Sequence, residues 1–227
     1  MTRAERDAKF EAYLRQHPGK DPEILSYESL LDRAAGRRVK VLGGYSGLGY
    51  QDPEAVQRHV EGIVRETGDG ALYVLGGTKD GIGAAYDWIR SLASSARLGN
   101  VKTAGIVSRE AALYPDGIAR QDYLVFVDTE ADVWEVKRDG LSLMVDAAKR
   151  TGGEMVYFKG GAISGAEIRE ALERGVKVTI YASPDIQPNR ERLEKKQKKN
   201  PAYVADGTID ILARYEGRRN PLLNVRR

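Results

Sequence analysis

The chain has 227 residues, enough for one large domain or one domain with appendages. Hydrophobic residues make up 41% and charged residues 30%, the balance of an ordinary globular protein, and no apolar run approaches the ~20 residues of a membrane span. Cysteine is absent, which excludes disulfides and thiolate chemistry. The polar start, Met1-Thr-Arg-Ala-Glu-Arg-Asp7, does not read as a secretory signal, and a cytoplasmic location is expected. The net charge of +3 is uneven: Ile186 to Arg227 carries 11 Lys/Arg against 5 Asp/Glu, densest at Lys195-Lys-Gln-Lys-Lys199. That run reads as a solvated helix face; it lacks the interleaved aromatics of a base-stacking surface, so neither nucleic acid nor membrane is expected as a partner.

In chain order, residues 3–16 are predicted to form a polar amphipathic helix with Phe10, Tyr13 and Leu14 on one side, ended by His17-Pro18-Gly19. Residues 23–34 are predicted as a second helix. Val39 to Leu42 reads as a buried strand, and Asp52-Pro53-Glu54 as a helix start, an N-cap with proline at the first helical position. Strands are predicted at Ala71–Leu75, Lys102–Val107, Tyr123–Val127, Met155–Phe158 and Val176–Tyr181. Helices are predicted at about Asp80–Ser95, Leu141–Arg150 and Ser164–Arg174, then at 189–199 and 208–216. Short apolar strands alternating with amphipathic helices imply α/β architecture: a Rossmann-like three-layer α/β/α sandwich with a mainly parallel sheet. Residues 1–36 read as an N-terminal helical appendage, 37–185 as the ligand-binding domain, and 186–227 as a basic helical C-terminal extension.

Three of the strands end in paired glycines: Gly43-Gly44 with Ser46 following, Gly76-Gly77 with Thr78, Lys79, Gly81 and Gly83, and Gly160-Gly161 with Ser164. Ligands of parallel sheets bind beyond the carboxyl ends of the strands, where these glycines are predicted to lie. The N–H groups opening a following helix attract anions there. Neither common nucleotide fingerprint is present. After Gly76-x4-Gly81, Ile82 stands where a phosphate-binding loop needs lysine, and Gly44-x-x-Gly47-x-Gly49 has the wrong order for a dinucleotide turn.

The run Lys159-Gly160-Gly161-Ala162-Ile163-Ser164-Gly165-Ala166-Glu167 resembles the Pro-Gly-Gly-x-Gly-Thr-x-x-Glu signature of the SMF/DprA–LOG (SLOG) superfamily. That superfamily includes the Lonely Guy, or "lysine decarboxylase-like", phosphoribohydrolases and many nucleotide-sensing domains. Gly160 and Gly161 match the paired glycines, Ser164 the threonine and Glu167 the glutamate. Gly76, Gly77, Gly81 and Gly83 resemble the family's second element, and Gly43, Gly44 and Ser46 its first turn, so the likeness covers about residues 39–182. Lys159 replaces the signature proline and adds a phosphate counter-charge; Ile163 replaces the third glycine and adds a side chain where phosphate would approach. Arg138 is the nearest counterpart of the enzymes' arginine, at a longer spacing.

The resemblance implies a nucleotide or nucleotide-derived ligand, no separate cofactor or metal, and a homo-oligomer, a dimer by family habit. Three roles stay open for Glu167: with Arg138 it serves N-glycosidic hydrolysis of a nucleoside monophosphate, it binds ribose, or it is simply a first-turn glutamate favoured by the helix dipole. Ser164 either bonds phosphate or N-caps its helix with Glu167 as capping-box partner. Ligand sensing or sequestration, hydrolysis, and a non-catalytic interaction subunit are the three functional readings. Asp128 and Glu130 read as a solvated loop, with ribose or metal binding the alternative. Trp88 and Trp134 read as packing anchors, Trp134 lying near the site's edge with Asp132 and Glu135. His17 and His59 read as surface or structural residues.

Overall fold

A computed structural model describes residues 3–17, 22–129, 134–215 and 220–227. The strands are β1 (Glu23–Leu25), β2 (Arg38–Gly44), β3 (Ala71–Leu75), β4 (Lys102–Ser108), β5 (Tyr123–Val127), a hairpin of β6 (Lys137–Arg138) and β7 (Leu141–Ser142), β8 (Glu154–Phe158), β9 (Lys177–Tyr181) and β10 (Leu223–Arg226). The helices are α1 (Arg3–Gln16), α2 (Tyr27–Ala34), α3 (Pro53–Thr67), α4 (Ala85–Ser95), α5 (Leu143–Thr151), α6 (Ala162–Glu173), α7 (Arg190–Lys199) and α8 (Ile209–Tyr215). Eight strands form one sheet in the order β1-β5-β4-β3-β2-β8-β9-β10. Every pairing in it is parallel, so the fold is the Rossmann-like three-layer α/β/α sandwich.

Alternation along the strands builds both layers. Val39, Val41, Met155 and Tyr157 face a core closed by α2, α5, α6 and α8, through Leu30, Leu143, Ile168 and Ile211. Leu42, Val156 and Phe158 face the opposite core with Val56, Val60, Tyr86 and Ile89 of α3 and α4. Over β4 and β5 that second face is covered by α1. Tyr13 is buried there, and the Phe10 and Tyr13 rings meet Phe126 edge-on at 5.0 and 5.3 Å.

Three segments differ from their sequence-based expectations. Residues 23–34 are not one helix: Ser26 N-caps α2, accepting from Ser29 N–H, and the three residues before it pair with β5 as an edge strand. Residues 137–142, with Gly140 at its bend, form a hairpin instead of opening α5. The basic extension is not wholly helical, because β10 returns to the sheet beside β9, with Leu223 level with Val178 and Val225 level with Ile180. No helix among the described residues is long and apolar enough to cross a membrane.

Candidate crevice beyond β2 and β8

From β2 the chain steps through β3 and β4 to β5 in one direction, and from β8 through β9 to β10 in the other. The connections therefore diverge between β2 and β8, the switch point at which parallel α/β sheets open a crevice. Close backbone approach is enforced there. Gly43 lies level with Tyr157 and Gly44 with Phe158; a Cβ on the first would run into the Tyr157 ring, and on the second into the Tyr50 hydroxyl. That buried hydroxyl accepts from Tyr45 N–H at 3.1 Å and donates to Phe158 O at 3.1 Å, stapling the exit of β2 to the end of β8.

The crevice has two chambers. The inner one, about 200 Å³, is bounded by Gly43, Gly76, Thr78, Ile106, Trp134, Met144 and Glu167, among others. The outer one, about 370 Å³, lies between Gly47, Gly161, Ala162 and the stretch Asn200 to Val204. Gly44, Ser46, Ile163 and Ser164 form the partition that both share. Of the residues singled out in the sequence, Gly43, Gly44, Ser46, Gly47, Gly76, Thr78, Gly83, Trp134, Glu135, Gly161, Ile163, Ser164 and Glu167 line one or both chambers. Gly77, Lys79, Gly81, Lys159, Gly160 and Arg138 line neither.

The turn after β8 leaves its donors open. Helix α6 starts at Ala162 with Gly161 at the N-cap and no side-chain cap, and its first i→i−4 bond runs from Gly165 N–H to Gly161 O at 3.0 Å. The N–H groups of Ala162, Ile163 and Ser164 precede that bond and have no acceptor among the described residues. This corrects the capping-box reading: Ser164 is the third helical residue, its Oγ 3.4 Å from Gly44 O, and Glu167 sits in the second turn. Gly160 (φ +141°) and Lys159 (φ +47°) set up the turn in left-handed backbone, and Gly160 O accepts from Gly207 N–H of the C-terminal extension at 2.8 Å. Lys159 is only 8% exposed and forms no ion pair or hydrogen bond among the described residues.

The turn after β3 is closed. Gly77 N–H donates to the Tyr86 hydroxyl, Lys79 N–H to Gly117 O, Ile82 N–H to Tyr45 O and Gly83 N–H to Asp80 O, all within 3.1 Å.

Glu167 lines the inner chamber. Its Oε1 accepts from Ser142 Oγ at 2.9 Å and its Oε2 from the Tyr157 hydroxyl at 2.9 Å. Burial raises its pKa above the ordinary glutamate value; the two hydroxyls pull it down, and the neighbouring carboxylates of Glu170 and Glu135 push it up again. Ser142 was not singled out in the sequence, although a serine opening the α5 apolar run is an N-cap signal; its hydroxyl indeed accepts from Met144 N–H. Tyr157 was hidden inside a strand that read as plain core.

Arg138 is drawn elsewhere. Its guanidinium pairs with Glu28 at 3.4 Å and lies 5.4 Å from the Tyr27 ring centroid. Asp128 is occupied by Arg6 and Arg109 at 3.8 and 3.5 Å, while Glu130 and Asp132 lie outside the described residues. Trp88 packs against the α3/α4 core. Trp134 instead stands 49% exposed at the inner chamber. His17 stacks on Tyr13, and His59 tilts over Tyr181 with its pKa lowered by burial.

No protein-family model matches the chain, and no curated protein matches it in sequence. Among solved structures it is similar to the molybdenum cofactor carrier protein MCP of Chlamydomonas reinhardtii, at 13% identity over 80% of this chain and 99% of that one, with a TM-score of 0.43. A second structure of the Moco carrier protein from the same alga gives 16% identity, 79% and 96% coverage and a TM-score of 0.41. The likeness stops at the α/β arrangement that the sheet order already displays.

Proposed function

We propose that this chain binds and holds a nucleotide-derived small molecule in the β2/β8 crevice, as a SLOG-type sensing or sequestering domain. The observation that carries this reading is the row of open N–H donors at the start of α6, facing a chamber that adjoins a second, largely apolar one. An anionic group fits the first and an organic ring the second. Lys159, buried at the same turn and without an ion pair among the described residues, lines neither chamber but adds positive potential behind the open donors. Holding is favoured over turnover because Arg138 is engaged with Glu28 away from the crevice. Residues 37–185 form the binding domain on this reading, with 1–36 and 186–227 closing it at the two sheet edges. A cytoplasmic homodimer belongs to the same proposal, and mass in solution checks the dimer.

Calorimetry of the full chain against a ribonucleotide panel, alongside mass spectrometry of any co-purified ligand, tests the reading. Micromolar binding of at least one nucleotide is expected; no binding by any at millimolar concentration sinks it. The raised pKa of Glu167 beside a cavity favours a second reading, N-glycosidic hydrolysis of a nucleoside monophosphate with Glu167 assisting the departing base. Base release that disappears in Glu167→Ala would support hydrolysis, and its absence in the intact chain removes it.

A further inference from the structure

The inner chamber differs chemically from the outer one. Its wall includes two carboxylates, Glu135 and Glu167, and among the described residues no lysine or arginine, set among Leu42, Ile106, Val136 and Met144. Glu135 is ion-paired with Lys137 at 2.5 Å, which leaves Glu167 as the acceptor that such a chamber offers to hydrogen-bond donors on an apolar body. Its volume of about 200 Å³ falls below the ~300 Å³ at which sites for whole small molecules begin, so it suits one part of a ligand whose remainder reaches the outer chamber.

Glu167 has acceptor capacity to spare. A carboxylate offers about four lone-pair sites, and Ser142 and Tyr157 use one on each oxygen. Glu167 forms no ion pair among the described residues. Two acceptors held side by side by a rigid pair of hydroxyls match two adjacent N–H groups on one ring edge, the paired geometry in which carboxylates recognise planar donors. At the mouth Trp134 is half exposed, and Tyr114, 60% exposed, lies beside it with ring centroids 6.0 Å apart and tilted by 33°. Aromatic faces left in solvent next to a cavity provide a stacking platform for a planar ring.

We propose that the inner chamber is a ring-recognition site for a guanine-type base, a planar fused ring whose adjacent ring N–H and exocyclic amino group both donate to Glu167 while Trp134 covers its face. The proposal rests on the nucleotide-binding reading and assigns the ligand's orientation: phosphate toward Ser164 and the open end of α6, base toward Glu167. Both Glu167 oxygens already act as acceptors, toward Ser142 and Tyr157, so adenine, whose ring nitrogen at that edge is also an acceptor, is rejected.

The test is calorimetric titration of the full chain with GMP, IMP, AMP and ribose 5-phosphate at neutral pH. GMP is expected to bind at least ~10-fold more tightly than AMP, the discrimination of a good paired contact, with IMP, which keeps only the ring N–H, in between. Trp134→Ala should weaken GMP about 10-fold through lost stacking and leave ribose 5-phosphate unchanged. Glu167→Gln should erase the GMP preference. AMP binding as tightly as GMP, or ribose 5-phosphate matching both, overturns the ring-recognition proposal while leaving the nucleotide reading standing. Failure of all four ligands overturns the ring-recognition proposal, and the nucleotide reading falls with it only if the rest of the ribonucleotide panel also fails to bind. Should Glu167→Gln not fold, the ligand series on the unaltered chain and the exposed Trp134 variant still decide.

Discussion

The turn after β3, Gly76-Gly-Thr-Lys-Asp-Gly81, and the turn after β8, Lys159-Gly-Gly-Ala-Ile-Ser164, each follow a buried parallel strand, carry paired glycines and lead into a helix. In the first, the donors of Gly77, Lys79, Ile82 and Gly83 all find protein acceptors. In the second, three consecutive N–H groups stay open beside a cavity. The same local grammar thus yields a turn tied to the protein in one place, although Gly76, Thr78, Ile82 and Gly83 still line the inner chamber, and a turn with open donors in the other. What separates them is tertiary: the Tyr86 hydroxyl and the Gly117 carbonyl accept from the first turn, whereas at the second Gly207 packs against Gly161 and Gly165 and bonds the carbonyl of Gly160.

If the β3 turn is a joint, its glycines should matter to folding. A Cβ at Gly83 would collide with the Thr78 carbonyl, and one at Gly81 (φ +59°) with that of Tyr45. Backbone cannot move aside as a side-chain tip can. Gly83→Ala is therefore expected to cost about 3 kcal/mol or more, measured by urea unfolding. Gly76 lines the inner chamber and has nothing within 4 Å of an added Cβ, so Gly76→Ala should stay within ~0.5 kcal/mol of the parent. Equal costs for the two substitutions would break the contrast.

The sequence shows the α/β order and the glycine-ended strands because both depend on local patterning: apolar runs such as Ala71–Leu75 and turn residues at their ends. It does not show where a turn's donors go. That Tyr86, nine residues on, bonds Gly77 is set by how α4 packs on β3 and β4. The cap of α6 was misplaced for a related reason. Ser164 and Glu167 satisfy the capping-box spacing, but Gly161 starts the helix earlier, and Glu167 is then claimed by Tyr157 and by Ser142 from 25 residues upstream. The outer chamber's far wall, Asn200 to Val204, was invisible because long-range return of an irregular segment leaves no periodic signal.

The hydroxyls on Glu167 provide the next largest effect. Tyr157 is 1% exposed and its hydroxyl meets the carboxylate at 2.9 Å. Tyr157→Phe keeps the ring's packing and removes a charge-assisted bond, so a loss of about 2 kcal/mol is expected. A loss below ~0.5 kcal/mol would mean that Glu167 is not held where the crevice needs it.

The carboxylate also gives a pH signature. Its folded-state pKa lies above the ordinary value of 4.5 because of burial, so the folded chain binds the proton more tightly than the unfolded one. Stability contributed by this group is therefore present at and below pH 4.5 and is lost as pH rises through the raised value. Glu167→Gln cannot ionise. Plotting urea midpoints of both proteins against pH should show the parent falling relative to the variant above pH ~4.5, with shifts from His59 and other groups cancelling in the difference. Parallel curves would mean that the hydroxyls of Ser142 and Tyr157 offset the burial completely.

The smallest expected stability effect tests the β8 turn. Ser164 Oγ approaches Gly44 O only at 3.4 Å, too long to contribute much, and the serine does not cap its helix. Ser164→Ala should change unfolding free energy by less than ~0.5 kcal/mol. Yet Ser164 stands in the partition between the chambers, beside the open donors of α6, and on the proposed reading its hydroxyl donates to a bound phosphate. Loss of one such bond predicts about a 10-fold weaker affinity for the best nucleotide found in the panel. A residue whose removal leaves folding intact and weakens binding belongs to a surface kept for a ligand; if instead folding suffers and binding does not, the β8 turn is a joint like its counterpart after β3.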